Sequence, residues 1–132
     1  MRKSQQYKRT RPYQIKKTGI KDENIDRQIR AIHRAMAEKI LSRPELIEQI
    51  NERLENNKDN GMLTYGQYIS WFSILELIDQ PEVFINAILE DTPKMRRLRR
   101  NTPLVGILTE EERQRALHRD ALGEVTDIQN II

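Results

Sequence analysis

The chain contains no cysteine, which excludes disulfide bonds, thiolate metal sites and a cysteine nucleophile. A composition without cysteine suits a reducing compartment, so we expect a cytoplasmic location. Long apolar runs are missing too, since the longest nearly uncharged apolar stretch, around residues 68–75, is far too short to cross a bilayer. No apolar signal-peptide core follows the basic N-terminal segment. The sequence therefore predicts neither secretion nor membrane insertion.

Groups suited to catalysis are scarce. The two histidines, His33 and His118, are far apart in sequence and lack the spacing of a paired metal site. We interpret both as ordinary surface or boundary residues. Glu110, Glu111 and Glu112 suit a helix's first turn better than a metal or acid–base site, because acidic groups there complement the helix dipole. We predict no enzyme activity, no metal and no cofactor; an enzyme whose polar groups meet only in three dimensions is the alternative.

Charge is distributed unevenly along the chain. Residues 1–21 hold eight of the 23 basic residues and no acidic residue, while residues 22–132 carry a net charge of −5. We expect this first segment to be a flexible basic arm, with Tyr7 and Tyr13 interspersed, as in tails that bind polyanions. A solubilising tail is the alternative. The predicted nucleic-acid contacts are Arg2, Lys3, Lys8, Arg9, Arg11, Lys16 and Lys17.

Apolar residues recur at helical spacing throughout the rest of the chain. The first stripe predicts a helix over residues 23–41, and consists of Ile25, Ile29, Ile32, Met36 and Ile40. Helix-start signals predict five further helices. These signals are Ser42 with Pro44 and Glu45, Thr64 with Gln67, Asp79 with Pro81 and Glu82, Thr92 with Pro93, and Thr109 with Glu112. The segment from Asn56 to Gly61 predicts the end of the second helix and a turn.

The pattern contains no sustained strand alternation and no repeat. We therefore predict an all-α fold, a compact bundle of about five to six short helices. Its predicted organisation is a flexible arm over residues 1–21, a helical domain over residues 22–122 and a frayed tail over residues 123–132. Trp71 could stack on nucleobases, but its apolar neighbours on the same helix favour a core position.

Four arginines lie within the segment MRRLRR: Arg96, Arg97, Arg99 and Arg100. Guanidinium groups suit phosphates and carboxylates, but arginines near a helix C-terminus also complement the helix dipole, so a binding role and a structural role stay open. Arg27, Arg30 and Arg34 fall on one face of the first helix and could extend a basic surface. The loop that follows the cluster carries Leu104, Val105, Ile107 and Leu108 around Pro103 and Gly106. We expect this turn to fold its apolar residues back onto the bundle, with Arg97 or Arg99 near the exposed surface.

The order of these features over residues 31–116 resembles a group of small bacterial antitoxin-like proteins of toxin–antitoxin gene pairs. The resemblance lies in RAIHRAMAEKIL, SRPELI, YISWFSIL, QPEVFINAILED and above all MRRLRRNTPLVGILTEEERQRAL. The position of Leu104 is more often aromatic in such proteins, and that of Gln114 is often apolar, which affects the details of the last helix. The resemblance omits the arm and carries over no catalytic residue. It implies a protein that neutralises a partner.

We accordingly expect an antitoxin-like protein that binds a cognate toxic enzyme. The predicted partner contacts are Arg96, Arg97, Arg99, Arg100, Leu104, Val105 and Ile107. The alternative is a nucleic-acid-binding protein, a regulator or a ribosome-associated factor, that grips DNA or RNA through the arm and the Arg96–Arg100 helix. No recognition helix of a helix-turn-helix is evident in the sequence. The sequence leaves the oligomeric state and the helix topology open.

Overall fold

The structure, a computed structural model, describes residues 3–131, with side chains described for residues 22–122 only. This part of the chain contains helices and no strand, which confirms the predicted all-α fold. The elements are α1 (Lys3–Ser42), α2 (Leu46–Asp59), α3 (Tyr65–Leu75), a 3₁₀ helix (Glu76–Asp79), α4 (Pro81–Ile88), α5 (Pro93–Arg100) and α6 (Glu110–Ile131). The predicted flexible arm and frayed tail, residues 1–21 and 123–132, lie outside the described side chains and stay predictions.

Helix α1 is the central element of the bundle. It packs against α4, α5 and α6, while α2 packs against α3. Met36 and Ile40 of the predicted apolar stripe are buried, and Ile25 at the beginning of the stripe is exposed. Trp71 is completely buried, so its predicted core position is confirmed. The largest fully buried side chains are Trp71, Phe84, Ile40, Ile50, Leu54, Ile88, Leu104 and Pro103.

Three predicted helix starts are present with the expected caps. At α3 the Thr64 hydroxyl accepts from the Gln67 amide at 3.1 Å, and the Gln67 side chain accepts from the Thr64 amide at 3.0 Å. Thr92 accepts from the Met95 amide at 3.2 Å at the start of α5. Thr109 opens α6 with the same reciprocal arrangement as Thr64. A cap of this kind contributes about 1 kcal/mol.

The two other predicted caps are wrong. Ser42 is the last residue of α1, and its hydroxyl donates to the Lys39 carbonyl at 2.9 Å instead of capping the next helix. Helix α2 begins only at Leu46, and Glu45 at its N-cap makes no side-chain cap hydrogen bond. Asp79 is the last residue of the 3₁₀ helix, and α4 begins at Pro81 without a side-chain cap. In both cases the preceding helix extends through the expected cap residue.

The predicted turn after α2 is confirmed. The amide of Met62 donates to the Asn57 carbonyl at 2.9 Å, which closes the end of the helix. Gly61 has a φ of +77°, a left-handed conformation that favours glycine. Within the described residues, no helix combines the length and apolarity that a bilayer span requires.

Candidate partner-binding groove

One arginine of the cluster on α5, Arg99, binds the end of α4. Arg99 is buried, 2% exposed, and its Nη1 donates to the carbonyls of Ile88 at 2.8 Å and Glu90 at 3.0 Å. Arg30 of α1 donates from Nε to the Leu89 carbonyl at 2.7 Å. These two guanidinium groups therefore satisfy three carbonyls at the end of α4, which otherwise lack helical partners. Arg99 was predicted as an exposed partner contact, and the structure instead gives it a buried structural position.

Two further arginines of the cluster form ion pairs inside the chain. Arg96 binds one Asp91 carboxylate oxygen through Nε at 3.0 Å and Nη2 at 2.8 Å. Arg100 binds one oxygen of Asp26 on α1 in the same way, at 2.9 and 2.7 Å. Arg97 is exposed and makes no hydrogen bond or ion pair within residues 22–122. Most of the cluster thus has the structural role that the sequence left open beside the binding role.

The loop after α5 divides its apolar residues between core and surface. Leu104 and Ile107 are buried, which matches the expected packing onto the bundle and removes both from direct contact with a partner. Val105 was expected to pack with them, and this expectation is wrong, because its side chain is 60% exposed. Gly106 has a φ of +86°, and the Arg53 guanidinium lies 3.7 Å from the position that a β-carbon would take there. This left-handed turn is what separates exposed Val105 from buried Ile107.

A lysine fixes the loop to α1 and α6. The Lys39 ammonium donates to the Ile107 carbonyl at 2.8 Å and to the Glu112 carboxylate at 2.7 Å. The same Glu112 oxygen accepts from the Thr109 amide at 2.8 Å. The Lys39 hydrogen bond and the Thr109 amide lower the pKa of Glu112 to about 2, so its charge persists over the physiological range. The interpretation of Glu112 as a capping residue is thereby confirmed, with an ion pair added.

The loop, the end of α5 and the middle of α1 enclose an open groove of about 540 Å³, here called the α1–loop groove. Its apolar wall is made by Ile32, Met36 and Leu108. Val105, Arg100 and Arg113 line it from the loop, α5 and α6. The volume is within the range of sites that take a small molecule or an anchoring side chain. Three predicted partner contacts, Arg99, Arg100 and Val105, meet in this groove.

His33 also lines this groove, and it is buried. Its Nδ1 lies 2.8 Å from the Ile29 carbonyl, and its ring stacks on Trp71 with 6.2 Å between centroids. Its Nε2 is buried with no hydrogen-bond partner among the described residues. Burial, opposed by the bond to Ile29 and assisted by the charge of Arg99, lowers the pKa of His33 to about 4.

The prediction for His33 as a surface or boundary residue is therefore wrong, whereas exposed His118 agrees with it. The sequence did contain the signal. Positions 29, 33, 36 and 40 follow the spacing of one helical face, which places the histidine within the apolar stripe. His33 is buried together with Met36 and Ile40, the part of the stripe that packs into the core.

The residues of the predicted basic face of α1 line a second groove. Arg27, Arg30 and Arg34 line a depression of about 590 Å³ together with Arg119 of α6. Acidic groups reduce its charge, because Arg27 pairs with Asp120 at 3.4 Å and Arg34 lies 4.0 Å from Glu38. The predicted arm contacts between Arg2 and Lys17 lie outside the described side chains. No group of three or more acidic or histidine residues within the described part of the chain is placed to hold a metal ion.

Comparison with known proteins adds no relative. No family model matches the chain, and no curated protein or solved structure does so either.

Proposed function

We propose that this chain is an antitoxin-like protein that binds a cognate toxic enzyme and blocks it, holding a segment of that enzyme in the α1–loop groove. The proposal is carried by one observation: exposed Val105 lies at an open, largely apolar groove that arginines also line. Apolar contact surfaces with arginine at their edge are typical of protein interfaces. The resemblance of residues 31–116 to antitoxin-like proteins supplies the class of partner.

The intramolecular roles of the arginines decide which substitutions can test this proposal. Replacing buried Arg99 would damage the fold, since its Nη1 holds two carbonyls of the α4 end. Val105 is exposed at 60% and can be changed without opening the core. Val83 on α4 is 45% exposed, does not line the groove and provides a matched control.

The test is affinity capture of the tagged full chain from its native cell, with and without nuclease, using wild type, Val105→Asp and Val83→Asp. A carboxylate at Val105 has to be desolvated against the apolar wall, so we expect at least a tenfold loss of capture for that variant. The captured protein is then expressed alone and together with each chain. We expect it to arrest growth alone, and to be neutralised by wild type and Val83→Asp but not by Val105→Asp. Equal neutralisation by all three chains, or recovery of nucleic acid alone, would contradict the proposal.

A nucleic-acid-binding function is the second candidate, and the groove between α1 and α6 favours it. Four arginines line that groove, and its α1 wall belongs to the helix whose earlier part carries the basic segment. Contacts to phosphate would release counterions and give an affinity that falls steeply with salt. We expect Arg34→Glu with Arg119→Glu, or removal of residues 1–21, to reduce the salt dependence of RNA or DNA binding if this function operates. Unchanged binding in both variants would exclude it.

A further inference from the structure

The neutral form of His33 gives the α1–loop groove a specific hydrogen-bonding character. Ile29 offers only a carbonyl oxygen, which accepts, so the proton of the neutral ring must be on Nδ1. The pKa of about 4 keeps the ring neutral near pH 7. Nε2, at the end of the ring distal from the α1 backbone, therefore has a lone pair and no proton. Among the described residues nothing donates to it.

A buried acceptor without a donor is costly, on the order of 1–3 kcal/mol for a neutral group. Such atoms in folded proteins are exceptional and call for an explanation. His33 lines the groove, and Nε2 is the ring nitrogen that stays available to accept a hydrogen bond from a group bound there. Nε2 itself is covered, and contact requires a neighbouring side chain to shift. Met36 lines the groove one turn further along α1, and its unbranched chain can adopt another rotamer.

The other lining residues restrict what the donor is attached to. Ile32, Met36 and Leu108 provide an apolar wall that suits an aromatic ring, and methionine sulfur contacts aromatic rings favourably. Arg100 and Arg113 line the same groove and pair with Asp26 and Glu110, but each guanidinium keeps further N–H donors that a bound carboxylate can use. Arg99 also lines the groove, and within residues 22–122 it binds carbonyls and no carboxylate, so it adds positive charge. A bound carboxylate would complement that charge.

We propose that the α1–loop groove recognises an aromatic side chain tipped with a hydrogen-bond donor and accompanied by a carboxylate, with the donor bound to His33 Nε2 and the carboxylate near Arg100 and Arg113. A phenol or an indole supplies such a donor on an apolar body. This inference rests on the proposed function, because it describes the anchor that the partner's segment inserts.

The test uses the full chain, labelled with ¹⁵N, and small probes in place of the partner. The probes are 4-hydroxyphenylacetate, phenylacetate, which lacks the donor, and tyramine, which carries a cation in place of the carboxylate. We expect 4-hydroxyphenylacetate to bind about tenfold more tightly than phenylacetate, the worth of satisfying one buried acceptor. Tyramine is expected to bind more weakly than 4-hydroxyphenylacetate, and the ¹⁵N resonance of His33 Nε2 is expected to move only with the hydroxylated probes.

Substitutions test the contribution of His33 separately from that of the other groove residues. His33→Phe should bind 4-hydroxyphenylacetate and phenylacetate equally. His118→Phe, at an exposed position on α6, should keep the tenfold preference for 4-hydroxyphenylacetate. Arg113→Gln should weaken both acetates alike, and Arg115→Gln on the exposed face of α6 should not. The wild-type Nε2 shift keeps the test decisive if His33→Phe does not fold.

This inference would be overturned if wild type bound 4-hydroxyphenylacetate and phenylacetate with equal affinity or bound neither. It would also be overturned if the ¹⁵N resonance of His33 Nε2 did not move. The probes need no protein partner, so the two proposals fail separately. A donor preference without a captured toxin removes the proposed function and keeps the site. If capture depends on Val105 but 4-hydroxyphenylacetate binds no more tightly than phenylacetate, the proposed function stands and the donor-binding site does not.

Discussion

Protonation of His33 should destabilise the fold at mildly acidic pH. The side chain is 2% exposed and its pKa is lowered from 6.5 to about 4 by burial. The unfolded chain therefore binds a proton at a higher pH than the folded chain does. Neutral His33 therefore makes its full contribution to the free energy of unfolding above pH 6.5. This contribution falls as the pH drops from 6.5 towards 4, because the unfolded state binds more protons over that window.

The magnitude follows from the size of the pKa difference. One pKa unit corresponds to 1.36 kcal/mol, so lowering from 6.5 to about 4 predicts a loss of about 3 kcal/mol. At pH 5 the loss should already be about 2 kcal/mol. This loss is a large part of the free energy of unfolding of a small domain, which is about 5–15 kcal/mol. The urea concentration at the midpoint of unfolding should therefore decrease measurably.

The assay is urea unfolding at pH values from 7.5 to 4, followed by circular dichroism and by the emission of Trp71. This residue is the only tryptophan and is fully buried, so its emission reports unfolding. Circular dichroism is needed as well, because the His33 ring stacks on Trp71 and its protonation can change the emission directly. We expect His33→Phe to lack this part of the pH dependence and His118→Phe to retain it. If wild type and His33→Phe lose equal stability between pH 6.5 and 4.5, the burial argument is wrong.

Three further substitutions test the contacts around the groove. Gly106→Ala should destabilise the fold by about 1–2 kcal/mol in urea unfolding, because a side chain disfavours a φ of +86°. Arg99→Met should lower the thermal midpoint strongly, since the Ile88 carbonyl loses its 2.8 Å donor, a cost of about 2 kcal/mol. Lys39→Met should raise the pKa of Glu112 from about 2 towards 4.5 in an NMR titration; an unchanged value would show that Lys39 is not the cause.

The sequence allowed most of the fold to be predicted, because the relevant signals are local. Thr64 and Thr109 open helices through hydrogen bonds to residues three positions away, which the sequence displays directly. Ser42 and Asp79 carry similar signals, but the preceding helices extend through them. Local chemistry identifies a possible cap and cannot decide between two neighbouring helices that compete for the same residue.

The site was less predictable, because its groups are defined by contacts between distant residues. Arg99 and Arg97 are indistinguishable in the sequence, yet Arg99 binds the end of α4 and Arg97 is exposed. The choice depends on which face of α5 packs on the bundle. Val105 and Leu104 were both expected to fold back onto the bundle, yet Val105 is 60% exposed and Leu104 beside it is fully buried. The burial of His33 likewise depends on a contact between distant residues, because its ring stacks on Trp71 of α3.

The most direct test of the proposed function is photo-cross-linking from the groove in the native cell. A photoreactive phenylalanine analogue replaces Val105 in one chain and Val83 in another. We predict a stoichiometric protein adduct from the Val105 position that survives nuclease treatment and is the growth-arresting protein, with none from Val83. Adducts of equal yield from both positions, or an adduct at Val105 that disappears with nuclease, would contradict a partner-binding groove.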